Sequence, residues 1–163
     1  MRDRCRDDDR GVSVTVGYVL TLAIASLLLS GLFIAGGSFV ETERERAVQG
    51  ELTVVGERVA ADLMTVDRLA GTAASPADLT VERSATLPDR VSGTGYRIAV
   101  TTTGTEGTVT VQSDRTDTTV EVPFRARSDT EIRNATLSGG DLRIWWDPDA
   151  GPEGEGEVVV SEA

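Results

Sequence analysis

From Val12 to Val40 the chain reads VSVTVGYVLTLAIASLLLSGLFIAGGSFV, without a single charged position. As a helix rising about 1.5 Å per residue this stretch would reach about 43 Å, beyond the roughly 30 Å hydrocarbon core of a bilayer. A transmembrane helix over 12–40 is the expectation. A secretory signal carries a shorter apolar region, usually about 7–15 residues, and no clear A-x-A site closes this one; Ala35-Gly36-Gly37 comes nearest.

The pattern then changes without a break. Val48, Leu52, Val55, Val59, Leu63, Val66 and Leu69 recur at spacings of three and four, with Glu51, Glu57, Arg58, Asp62, Asp67 and Arg68 between them. That period predicts an amphipathic extension of the same helix over 41–70, with bends allowed at Gly50 and Gly56. Residues 71–78, Gly-Thr-Ala-Ala-Ser-Pro-Ala-Asp, read as a linker closed by the first proline after Met1, Pro76.

Beyond it, over 79–163, the period is two. Leu79–Arg83, Gly95–Thr102, Thr108–Gln112, Thr118–Phe124, Glu131–Leu137, Leu142–Trp146 and Glu157–Val160 are Val/Thr/Ile-rich segments separated by Ser-Gly, Thr-Gly, Ser-Asp, Gly-Gly and Pro-Asp. Short connections favour an antiparallel meander of five to seven strands, and the stripe from Val48 to Leu69 is available to cover it. The fold class expected is therefore α+β: a long N-terminal helix, transmembrane in its first half and amphipathic in its second, packed on a small antiparallel β-sheet domain.

Charge adds an orientation. The net charge is −11, and residues 1–11 contribute nothing to it, since Arg2, Arg4, Arg6 and Arg10 balance Asp3, Asp7, Asp8 and Asp9. Four Arg before the span, against Arg44 and Arg46 interleaved with Glu41, Glu43 and Glu45 after it, favour a cytoplasmic N-terminus and an extracellular C-terminal domain. An acidic domain repels nucleic acid, so no nucleic-acid partner is expected. All 16 basic residues are Arg, and there is neither Lys nor His. Acidity of this kind, with abundant Thr, Val and Gly, resembles proteins of salt-loving archaea. The single cysteine, Cys5, precedes the span, which excludes an intramolecular disulfide.

Arg10-Gly11 followed by Val12-Ser13-Val14-Thr15-Val16-Gly17, at the head of a long apolar helix, resembles the start of haloarchaeal type IV pilins. Val14 stands where proline is usual and Thr15 where valine is usual. The resemblance implies cleavage of a charged cytoplasmic leader, residues 1–11, between Gly11 and Val12 by a prepilin-peptidase-type enzyme. Arg10, Gly11 and Val12 would form the cleavage site, and the apolar helix would stay on the mature chain. It also implies a homo- or hetero-oligomer through that helix. Independently of the family, Gly17-x-x-x-Thr21-x-x-x-Ala25, Ser26-x-x-x-Ser30 and Gly31-x-x-x-Ala35 carry the small-residue spacing that lets membrane helices approach closely.

Asn134-Ala135-Thr136 is an acceptor pattern for N-glycosylation, and Asn134 is the only Asn of the chain. The acidic run from Asp147 to Glu157 lacks EF-hand spacing and reads as a solvated loop. Trp145 and Trp146, adjacent in a strand, face opposite sides, one toward the core and one outward. Without His, Lys, a phosphate-binding loop or a nucleophile elbow, no catalytic group, metal set or cofactor is expected. The reading is a pilin-like, single-pass membrane subunit or accessory component of a surface filament or secretion-type assembly. The alternatives are an unprocessed membrane-anchored β domain with an unknown partner and a Sec-exported surface domain.

Overall fold

The computed structural model describes residues 4–72, 80–127, 130–151 and 156–163, with side chains from residue 14 onward. By its internal contacts the chain divides into two compact units, Met1–Arg44 and Glu45–Ala163.

The first unit is helical from Arg4, within α1 (Arg4–Ala70). The helix starts ahead of the expected Val12 and takes in the backbone of the leader from Arg4 onward. From Val14 to Arg44 every residue is exposed, among them Leu27, Leu28, Leu32, Phe33 and Ile34. Among the described residues of the unit nothing covers this apolar surface. Three hydroxyls turn back on the helix: Thr21 donates to the Gly17 carbonyl and Ser30 to that of Ser26, each at 2.9 Å, and Ser38 donates to the carbonyls of Ile34 and Ala35. Bonded one turn back, they need no partner outside the helix.

The second unit begins with the remainder of α1 and continues through eight strands: β1 (Glu82–Ala85), β2 (Tyr96–Thr103), β3 (Glu106–Ser113), β4 (Thr119–Arg125), β5 (Glu131–Ile132), β6 (Ala135–Ser138), β7 (Leu142–Asp147) and β8 (Glu157–Glu162). The expected single meander is replaced by two four-stranded sheets, β1-β7-β8-β5 and β4-β3-β2-β6. Only β2-β3-β4 is a meander, and β5 pairs with β8 in parallel. The segment Glu131–Leu137, expected as one strand, is cut by Arg133 and Asn134, which carry the chain from the first sheet to the second.

One hydrophobic cluster joins α1 to the inner faces of both sheets. Leu52, Val59, Leu63 and Val66 are fully buried, as are Ile98 and Val100 on β2, Val109 and Val111 on β3, and Leu142 and Ile144 on β7. Each such side chain contributes about 1.5–3 kcal/mol by leaving water. Leu69, assigned to the stripe by spacing, is instead 47% exposed, and Ala70 takes the buried position at the helix end. α1 runs on as helix through Gly56. Its missing side chain lets β4 come close: a Cβ there would lie 2.8 Å from Val122 Cγ2 and 3.3 Å from Val111 Cγ2. Gly50 has open space around it. The linker expected over 71–78 lies outside the described residues apart from the turn at Gly71 and Thr72, closed by a bond from Gly71 N to the Asp67 carbonyl.

Asp62 and Asp67 correct the polar-face reading. Both are buried, at 6% and 3% exposure. The Asp62 carboxylate pairs with Arg83 of β1, and Asp67 Oδ2 accepts from the backbone N–H of Arg127, just past β4, at 3.1 Å. Near the other end of this half of α1, Glu51 Oε2 accepts from Ser92 N at 3.0 Å, in the turn bridged by Val91 and Thr94. The helix is thus fixed by charge-assisted bonds to elements of both sheets as well as by its apolar stripe.

Candidate functional site

Two places carry the residues singled out by the sequence, and each belongs to one unit. The first is the apolar surface of α1. Arg10, Gly11 and Val12 fall within its helical backbone, and their side chains, like that of Cys5, lie outside the described residues. At about 100° per residue, a continuous helix gathers Gly17, Thr21, Ala25, Gly31 and Ala35 on one side, within about 120° of arc. Ser26 and Ser30 fall on the opposite side, so the small residues form one stripe and one separate pair. A Cβ added at Gly17 or Gly31 would meet no atom, so the notch each leaves is open. Because the Thr21 and Ser30 hydroxyls are already bonded within the helix, packing at this surface would rest on close approach, not on hydrogen bonds between helices. The apolar part of α1 is long and apolar enough to cross a membrane, which makes it a candidate span.

The second place is the two-residue passage between sheets. Asn134 is exposed, and its Oδ1 accepts from the Thr102 backbone N–H at 2.8 Å and from the Thr102 hydroxyl at 3.2 Å. Thr136, two residues on, is exposed on β6 opposite Ala99 of β2. Beside Asn134 opens a polar cleft of about 400 Å³, bordered by Thr102, Thr130, Arg133 and Glu157. Arg133 holds the buried Glu157 carboxylate by two nitrogens, Nε at 2.9 Å and a terminal nitrogen at 2.6 Å. Periodicity puts Glu157 where the acidic run meets the last strand and names no partner for it. Nothing local in the sequence joins Arg133, just past β5, to Glu157, the first residue of β8.

Elsewhere in the β unit, Val54 and Val55 of α1 face Leu87, Pro88 and Val91 across an apolar groove of about 480 Å³. On the outer face of the first sheet, Arg143 makes two bonds of 2.7 Å to Glu82 and lies over the Trp145 ring, 5.2 Å from its centre. Trp146 is the core tryptophan, and Gly156, at φ +86°, packs directly against its indole. Trp145, the outward one, is half-buried beneath the guanidinium.

The Arg143 bond, then its charge, hold the Glu82 carboxyl below the usual carboxylate range, and Glu82 raises Arg143 in return. Burial pushes the Tyr96 phenol up; its hydroxyl donates to the Pro88 carbonyl at 2.6 Å. These are features of a packed scaffold. Among the described residues no three acidic or cysteine side chains converge as a metal site would require.

Comparison with known proteins bears on the whole arrangement. No curated protein and no solved structure matches the chain. A family model does match, from residue 7 to residue 159, so it takes in part of the charged N-terminal segment, the apolar helix and nearly all of the β unit together. On that match the chain belongs to DUF7266, a family of unknown function.

Proposed function

We propose that the protein is a pilin-like, single-pass membrane subunit, or an accessory component, of a haloarchaeal surface filament or secretion-type assembly. The observation that carries this reading is α1: one uninterrupted helix that is apolar and wholly exposed over 14–40 and buried along a stripe from Val48 to Ala70. A subunit that waits in a membrane and later packs against copies of itself needs an uncharged helix surface with small residues along one side. Gly17, Thr21, Ala25, Gly31 and Ala35 supply such a side. The Arg10-Gly11-Val12 start, the excess of Arg before the span and an acidic, Lys-free β unit support a cytoplasmic N-terminus and an extracellular β unit.

The test is the N-terminal residue of the protein isolated from membranes, by intact mass and terminal sequencing. A start at Val12, abolished by Gly11→Asp, is the expected result, together with recovery of the chain in sheared surface filaments. A retained leader would overturn leader processing. It would leave the second reading, an unprocessed membrane anchor whose β unit binds a partner, which the apolar groove at Val54, Leu87 and Val91 favours.

A further inference from the structure

We infer that Asn134 is a glycan attachment site, carried on the passage between the two sheets and accommodated there by the folded β unit. The inference rests on the reading above in one respect: the β unit must be outside the cell.

Three observations support it. Asn134-Ala135-Thr136 is complete as an acceptor triplet, and no proline occupies its middle position. Its two working side chains, Asn134 and Thr136, are both exposed, although they flank the start of a strand. The carboxamide is also oriented. The Thr102 backbone N–H donates to its oxygen at 2.8 Å, and among the described residues no acceptor takes its Nδ2, the atom that would be glycosylated. Asn134 also borders the cleft it shares with Thr102, Thr130 and Arg133, where hydroxyl and guanidinium groups line open space. A first sugar can sit there without displacing a strand, and its hydroxyls would find polar partners.

The step is a group transfer from a phosphate-activated saccharide, the co-reactant. The anomeric C1–O bond to phosphate breaks as a C1–Nδ2 bond forms. The phosphate leaves with its carrier and the bonding electron pair, and the amide gives up one proton.

The experiment uses the full chain recovered from membranes of its native host. Trypsin cuts after Arg133 and Arg143, so Asn134 sits in a peptide of residues 134–143, or 128–143 if a glycan blocks the first cut. The expected result is a saccharide mass on this peptide, lost in Thr136→Ala and in Asn134→Asp and kept in Thr136→Ser. Asn134→Asp retains the oxygen that Thr102 bonds, so loss of the mass there does not follow from loss of the fold. In parallel, protease treatment of intact cells reports where the β unit lies. A digestible β unit with an unmodified peptide overturns the glycan and leaves the membrane-subunit reading standing. A protected β unit with an unmodified peptide overturns both the glycan and the extracellular placement.

Discussion

The two halves of α1 are the same secondary structure held in place by different means. From Val14 to Arg44 no side chain is buried, whereas from Val48 to Ala70 a stripe is buried almost completely. The first half satisfies its backbone internally and turns the Thr21 and Ser30 hydroxyls back on itself, which would suit a surrounding that offers no hydrogen bonds. The second half is helical because two sheets need a cover, and its stripe, its Gly56 notch and its buried carboxylates are all matched to them. Helicity alone therefore says nothing about what a helix is for; the fate of its side chains does.

The comparison can be broken most forcefully at Leu63, which is fully buried. Leu63→Ala is expected to destabilise the β unit by about 2–5 kcal/mol in denaturant titration, while Leu28→Ala, on an exposed residue of the first half, leaves that midpoint unchanged. Equal effects would mean that the halves are not distinct. The converse substitution is Leu28→Arg. A charge at the centre of a span costs about 3 kcal/mol of insertion, so the variant should move toward the soluble fraction with its β unit still folded.

Glycine sharpens the contrast next. Gly56→Leu drives a side chain into Val122 and Val111 and should cost about 1–3 kcal/mol of stability. Gly31→Leu meets nothing within the chain, so it should leave stability alone and weaken only association between copies, read by cross-linking in membranes. Gly50→Ala, in open space on the second half, should instead stabilise by up to about 1 kcal/mol.

The smallest effect separates the regions by pH. Over 14–40 the only ionisable side chain is Tyr18. The β unit holds Glu82 below its ordinary value of 4.5, so its bond to Arg143 stabilises the fold above that value and is lost as pH falls through the lowered one. Unfolding midpoints measured from pH 7 down to 3 should decline less steeply in Glu82→Gln than in the native chain, while membrane retention stays flat in both.

Much of this architecture was readable from periodicity. The end of α1 falls within a residue of its expected place, and each expected strand segment overlaps an observed strand, because alternation of Val with Thr or Glu reports which face is wet. Periodicity does not report partners. Nothing local in Glu131–Leu137 says that Ile132 pairs in parallel with Val158 while Leu137 lies beside Ile98 on the other sheet. Asp62 and Asp67 look solvated in the sequence because carboxylates seldom bury unless paired, and their partners, Arg83 and the Arg127 backbone, are 21 and 60 residues away. Of the candidate sites, the acceptor triplet and the small residues were legible as motifs. The cleft beside Asn134 and the bond from Thr102 were not, since both are made by chain crossings.

The carboxylates of α1 have a mechanical consequence. Glu51, Asp62 and Asp67 grip the Ser92 turn, β1 and the segment after β4, each at its own height along the helix. A slip of α1 by one turn, about 5.4 Å, would break all three grips and carry Gly56 off the Val122 methyl that its notch admits. The helix is therefore keyed in the axial direction as well as greased in place by its apolar stripe. A pull along α1 would load both sheets in shear at once, so the β unit would travel with the helix and keep its register.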